Sequence, residues 1–162
     1  MRSPARPAAR RARMSDWTVL PDFACVDRGE PGAEEPTAVL LDLGLEAEAA
    51  VRSGTDAASR FAASPLGPRV RRVVAQVTDD SPVTVEQSAY ALLTAPGGVR
   101  GRPLLLHGRR PPPVRSCASG RLGPATRIGL EDTLHVPDGR RARSNAELLT
   151  AVSREHADAG RA

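Results

Sequence analysis

Residues 126–149 read TRIGLEDTLHVPDGRRARSNAELL, and in order they spell a strand, a charged tip, a turn and a capped helix. Thr126, Ile128 and Leu130 alternate with Arg127 and Gly129, the period of a strand with two unlike faces. That strand is expected to run to Leu130 and to end on the adjacent carboxylates Glu131 and Asp132. Pro137-Asp138-Gly139 predicts a turn, because proline fixes φ and glycine accepts the left-handed conformation. Ser144 with Glu147 three residues later is a capping box, and it opens an amphipathic helix through Leu148, Leu149 and Val152.

The same strand-then-helix rhythm extends back along the chain. Residues 21–26 predict a strand, 33–43 a helix, 46–51 a strand and 55–63 a helix. Residues 70–77 are rich in β-branched side chains and predict another strand. Thr84 is then expected to cap a helix with Gln87 at the box position and Val85, Ala89, Leu92 and Leu93 as its inner stripe. Residues 103–107 are a continuous apolar run of the kind buried on both faces of a parallel sheet. Beyond His107 the three consecutive prolines Pro111, Pro112 and Pro113 remove donors and block a helix, so 109–122 is expected to be a loop or at most one short turn. Strands alternating with helices imply βα units and a parallel sheet.

Adjacent strand residues point to opposite faces, so Glu131 and Asp132 share a site only if the backbone curls there. A carboxylate is a hard oxygen ligand for a divalent metal, and a second one nearby can accept a proton. Arg127 could hold that acceptor ionised or clamp a substrate carboxylate. The alternative is a solvated acidic turn with Arg127 as an ordinary surface partner.

At these residues the chain resembles the β-keto acid cleavage enzymes, the family that includes 3-keto-5-aminohexanoate cleavage enzyme. The resemblance is carried by Arg127-Ile128-Gly129-Leu130-Glu131-Asp132, by the Leu-x-x-Pro-Asp-Gly turn that ends at Gly139, and by the helix start Ser144-Asn145-Ala146-Glu147-Leu148. It extends more loosely through 103–108, 70–79, 44–51 and 21–32, nearly all of the chain after Trp17 but only the second half of the family's barrel. It implies an α/β fold, a partial (β/α)8 TIM barrel of roughly the last four to five βα units. The implied reaction is acyl transfer between a β-keto acid and acetyl-CoA, giving acetoacetate and a new acyl-CoA on a zinc centre.

Carried over by motif, Glu131 is the implied zinc ligand, Asp132 the base that deprotonates the bound acid, and Arg127 its assistant. Glu48 is an implied substrate contact. Cys25 and Asp27 stand where the family has a hydroxyl residue and Asn, and they are the corresponding substrate-binding positions. The family takes two further zinc ligands from a His-x-His motif, whereas the three histidines here are His107, His135 and His156, never two apart. Catalytic zinc normally needs about three protein ligands. The zinc site is therefore expected to be incomplete and the chain inactive alone. The rival reading is a non-catalytic barrel remnant or interaction module that folds with a partner.

Length and composition agree with a partial barrel. A full (β/α)8 barrel takes about 250 residues, against 162 here. With 40% hydrophobic but 2% aromatic residues, the core must be built from Val, Leu and Ala. A partial barrel leaves two open sheet edges, which predicts a homo-oligomer or a complementing half-barrel as partner. All 23 basic residues are Arg and the formal net charge is +4. The arginines cluster outside the strands without interleaved stacking aromatics, so nucleic acid is not the expected partner. No run approaches the roughly 18 apolar residues of a membrane span.

Residues 1–16 form a basic leader and 17–162 the folded domain. The leader lacks the apolar stretch of a secretory signal. It reads as a disordered arm, a targeting segment, or upstream sequence ahead of a start near Met14, and the last is preferred. Two cysteines, Cys25 and Cys117, form no motif. Cys25 in an apolar strand predicts a buried reduced thiol, which suits the cytoplasm.

Overall fold

The computed structural model describes residues 12–14, 16–78, 82–94, 102–108 and 125–159. Five parallel strands form one sheet in the order of the chain: β1 (Phe23–Asp27), β2 (Glu46–Arg52), β3 (Arg72–Val77), β4 (Leu104–Gly108) and β5 (Ala125–Thr126). Between them lie helices α1 (Glu34–Asp42), α2 (Ala57–Ala62) and α3 (Pro82–Thr94), with a 3-10 turn at Gly67–Arg69, and α4 (Asn145–Ala159) follows β5. Each strand pairs with its predecessor in sequence, the winding of a barrel rather than of a doubly wound sheet. A five-stranded parallel sheet with helices is the α/β architecture expected of a partial (β/α) barrel.

Strand identity here owes more to the sheet than to local preference. β3 is Arg-Val-Val-Ala-Gln-Val, and everything from Val73 to Val77 is buried, as befits a central strand. β2 is Glu-Ala-Glu-Ala-Ala-Val-Arg, a composition poor in strand formers, yet every residue of it pairs with β1, β3 or both. Its alanines are the reason it serves. Ala47, Ala49 and Val51 face the helices and let them approach closely, packing with Val39 and Leu40 of α1 and Ala57 and Phe61 of α2. Ala89 and Leu92 of α3 join the same core, while the side chains of Val85 and Leu93 lie outside the described residues.

The connections that aim the strand ends are specific. α1 stops in a Schellman motif: Gly44, at φ +76°, donates to the Leu41 carbonyl and Leu45 donates to the Leu40 carbonyl. Leu40 and Leu45 are both buried in the core, supplying the hydrophobic contact that accompanies this motif. Gly44→Ala is therefore expected to cost about 1 kcal/mol, since a Cβ disfavours positive φ. Urea unfolding measures it, and an unchanged midpoint would show that the turn can relax. At the other end of α1, buried Arg28 donates to the Ala33 carbonyl and the Thr37 hydroxyl and pairs with Glu34. Arg60 of α2 donates to the carbonyls of Gly29 and Glu30. Two arginines thus fix the loop that leaves the C-terminal end of β1.

Several expectations need correction. α3 begins at Pro82, so Thr84 lies inside the helix and does not cap it; proline's fixed φ suits the first helical position better. The strand expected over 126–130 is only Ala125–Thr126, because β5 pairs with β4 alone and the ladder ends at Leu106↔Thr126. Leu149 is exposed, since it lies off the face of α4 that buries Leu148 and Val152. Cys25 is exposed as well, because β1 is an edge strand and Cys25 points away from the helices. Met14 is buried against the main core. The segment 109–124 and Cys117 lie outside the described residues.

Candidate active site at the strand ends

Because partners in a parallel ladder point the same way, the register assigns each residue to a face. The face opposite the helices carries Cys25, Glu48 and Arg72 in one row. One row further toward the C-terminal ends it carries Asp27, Ala50, Val74 and Leu105, and beyond them Arg52, Gln76 and His107. In a (β/α) barrel this face is the interior, and its C-terminal rim is where reactive groups collect.

The acidic pair arrives at that rim by a turn. Thr126 donates its hydroxyl to the Leu106 carbonyl and anchors β5. The backbone then folds over Gly129, whose carbonyl accepts from the N–H groups of both Asp132 and Thr133, at 2.9 and 3.1 Å. Asn145, the first residue of α4, accepts the Leu130 N–H at 2.8 Å and latches the turn to the helix. The result separates the two carboxylates: the Asp132 side chain is 6% exposed and the Glu131 side chain 60%.

Asp132 meets two nitrogen-bearing side chains, a guanidinium and an imidazole. Arg127 Nη2 lies 3.5 Å from its Oδ1, and His107 Nδ1 lies 3.8 Å from the same oxygen. The His107 side chain is as deeply buried as that of Asp132. Arg127 also stands 3.4 Å from Glu131 Oε1, so it bridges the inner and outer carboxylates. The carry-over residues Arg127, Glu131 and Asp132 are thus gathered, and His107 joins them. From the sequence His107 reads equally as a strand-end histidine pointing into the mouth and as a structural one, because its nearness to Asp132 depends on the turn at Gly129, beyond β5.

The other carry-over residues form separate pairs. Glu48 is buried, with Oε1 2.5 Å from Arg72 Nε. The Arg72 guanidinium also sits 5.5 Å from the centre of the Phe23 ring, which closes this row at its N-terminal side. Asp27 accepts the Gly29 N–H on Oδ1 and Arg52 on Oδ2, at 2.9 and 2.7 Å. Cys25 stands beside both carboxylates, and its thiol is pushed up to about 11, first by burial and then by Glu48 and Asp27. Solvent access at the edge strand tempers the first cause, but all three act in one direction. Arg52 and Arg72 were missed as site residues, although once the register is known the alternation in Glu46–Arg52 places them on the inner face.

Zinc does not fit this donor set. Among the described residues no three His, Cys, Asp or Glu side chains converge as metal ligands. Glu131, the implied ligand, faces solvent and has Arg127 as its neighbour. His135 lies in the 135–141 bridge and is exposed, and the side chain of His156 lies outside the described residues.

The turn and helix that hold the acidic pair have their own small core of Val136, Ala142 and Leu148, against which Ile128, Leu130 and Ala151 pack. Gly139, at φ +85°, closes the expected Pro-Asp-Gly turn by donating to the Val136 carbonyl. The capping box forms in a shifted version. The Glu147 N–H donates to Ser144 Oγ, while the Glu147 carboxylate reaches past Ser144 to accept from the Arg143 N–H at 2.7 Å and from Arg140 at 2.6 Å. Those bonds, the Arg143 N–H first, hold the Glu147 carboxyl down at about 2, against its ordinary 4.5. A lowered value in the folded chain means that the carboxylate stabilises the fold above pH 4.5 and that this contribution disappears as pH falls toward 2. Glu147→Gln should therefore melt earlier than the parent at pH 7, and the two melting curves should converge near pH 2. A pH-independent gap between them would refute the assignment. A groove of about 630 Å³ lies between this turn and α4, lined by Asp138, Arg140, Arg143, Glu147 and Arg154. None of the rim residues Arg127, Glu131 or Asp132 lines it.

The family model for beta-keto acid cleavage enzyme matches residues 108–162, the segment that holds β5, the acidic turn and α4. That segment is similar to the family, and the looser resemblance between Trp17 and Gly108 lies outside the match. No curated protein matches the chain. Among the described residues, no helix is long and apolar enough to cross a membrane.

Proposed function

We propose that this chain carries the acid–base end of a β-keto acid cleavage enzyme-type acyl transfer, with Asp132 as the group that takes a proton from the bound keto acid. The observation that supports this most directly is the placement of Asp132. It is a nearly buried carboxylate at the rim, within the family-matched segment, flanked by Arg127 and His107. An aspartate in that setting can receive a proton without first shedding a bulk-water shell. Arg127, half exposed, can turn a donor edge to the carboxylate of the substrate while keeping contact with Asp132.

The described residues do not complete such a site. No strand among them pairs with the outer edge of β1 or β5, and no three of their His, Cys, Asp or Glu side chains converge as metal ligands. We therefore propose that activity requires a complementing half-barrel, and that the chain alone turns over no β-keto acid. The second reading, a non-catalytic interaction module, draws on the same two unpaired edges.

One experiment separates these readings. Acyl-CoA formation from a panel of β-keto acids with acetyl-CoA is measured for the chain alone, then with the front half of a complete β-keto acid cleavage enzyme added. Turnover only in the mixture is the expected result. Turnover by the chain alone would overturn the requirement for a partner. A stable complex without turnover would overturn the catalytic reading and favour the module.

A further inference from the structure

The rim has a second charged end, on β1 and β2, to which the sequence resemblance assigns only Asp27. Arg52 is the last residue of β2, and its guanidinium is held 2.7 Å from Asp27 Oδ2. Asp27 is occupied on both oxygens, since Oδ1 accepts the Gly29 N–H. It is therefore a brace for Arg52 and has no lone carboxylate edge to offer a cationic ligand. The Arg52 side chain is 43% exposed, so part of its donor fork faces the open rim.

Position makes that fork relevant to the site around Asp132. Arg52, Gln76 and His107 are register partners in one row across β2, β3 and β4. With strands about 4.8 Å apart, the Arg52 and His107 backbones are separated by about 10 Å. His107 in turn touches Asp132. A small, extended acid lying along this row would have one end at Arg127 and Asp132 and the other at Arg52.

The chemistry of that far end is set by which charges remain open. Glu48, the implied substrate contact, is buried and engaged with Arg72, so it cannot receive an ammonium group. Asp27 is engaged with Arg52. Among the described residues, the charged group left at this end of the row is the Arg52 guanidinium, which matches a carboxylate in shape and in charge.

We propose that Arg52, braced by Asp27, is the specificity-determining residue of this rim, and that the acid bound there carries a second carboxylate at its far end. The inference rests on the reading of Arg127 and Asp132 as the keto-acid end, and it names the substrate class as β-keto diacids.

The test uses the full chain and three unreactive probes of one length: adipate, hexanoate and 6-aminohexanoate. Isothermal titration should show adipate binding about tenfold or more tighter than hexanoate, the increment expected of one charged hydrogen-bonded pair, with 6-aminohexanoate the weakest. Arg52→Gln should bring adipate down to the level of hexanoate. Without any substitution, saturating adipate should protect Arg52 from phenylglyoxal, read by peptide mass, and hexanoate should not. The proposal is overturned if adipate has no advantage, if its advantage survives Arg52→Gln, if 6-aminohexanoate binds best, or if adipate leaves Arg52 equally modified. Failure of the underlying reading looks different: hexanoate binding would then be indifferent to Arg127→Gln, whatever Arg52 does.

Discussion

Asp132→Asn is expected to lower turnover of the complemented barrel by about 10²- to 10⁴-fold, the range that a positioned general base contributes. The amide has nearly the shape of the carboxylate, so the turn over Gly129 and the latch from Asn145 remain. What disappears is the capacity to take a proton. Glu131→Gln is the matched control, because Glu131 is exposed on the other side of the same turn. If Asp132 is the base, Asp132→Asn must lose far more than Glu131→Gln while melting within a few degrees of the parent. Steady-state rates and melting curves on both variants decide it, and full activity in Asp132→Asn would return the acidic pair to an ordinary charged turn.

The second large effect concerns stability. Leu40→Ala is expected to cost about 3 kcal/mol, within the range measured for buried leucines. Leu40 is 1% exposed, and many of the neighbours in its core are alanines, including Ala33, Ala47, Ala49, Ala57 and Ala75. Small side chains on a hydrogen-bonded sheet cannot lean into a void, so the cavity persists and the cost lies above the simple transfer value. Leu40 also supplies the hydrophobic contact with Leu45 that accompanies the end of α1, so the helix end loosens with it. Against a typical total of about 5–15 kcal/mol the loss is severe. Urea unfolding with an unchanged slope gives the value, and a loss below about 1 kcal/mol would mean that the core repacks.

How legible all this is from the sequence differs element by element. β3 and β4 are plain because continuous apolar runs admit one environment, between neighbours on both sides. The Pro-Asp-Gly turn and the Ser144 cap are plain because their bonds are local. β5 is not, since alternation in Thr126–Leu130 describes what a strand would bury but not whether a neighbour exists to pair with it. Among the described residues no strand pairs with β5 on its far side, and the backbone turns at Gly129 instead. Cys25 misleads for the same reason: an apolar strand predicts burial, but an edge strand leaves one side to water. At the site, Glu131 and Asp132 could be picked out as adjacent carboxylates. Which of them points inward is fixed by Asn145, fifteen residues from the Leu130 amide it holds. His107, Arg52 and Arg72 become site residues only through register, which is set by pairing between strands and has no local signature.

The separate small core beneath α4 has a consequence for the order in which the chain assembles. Ile128, Leu130, Val136, Ala142, Leu148 and Ala151 all lie within one short stretch, and none belongs to the main cluster on the sheet. Contacts so close in sequence cost little loop-closure entropy and can form before the parallel pairings of β1 to β4, which must wait for whole βα crossovers. The segment that presents Asp132 is then a unit with its own opening equilibrium, distinct from that of the sheet. Amide exchange would reveal it as a block of protection around 136–152 that rises and falls as one. The acid–base end of the rim can accordingly be shaped, or lost, without the barrel wall unfolding.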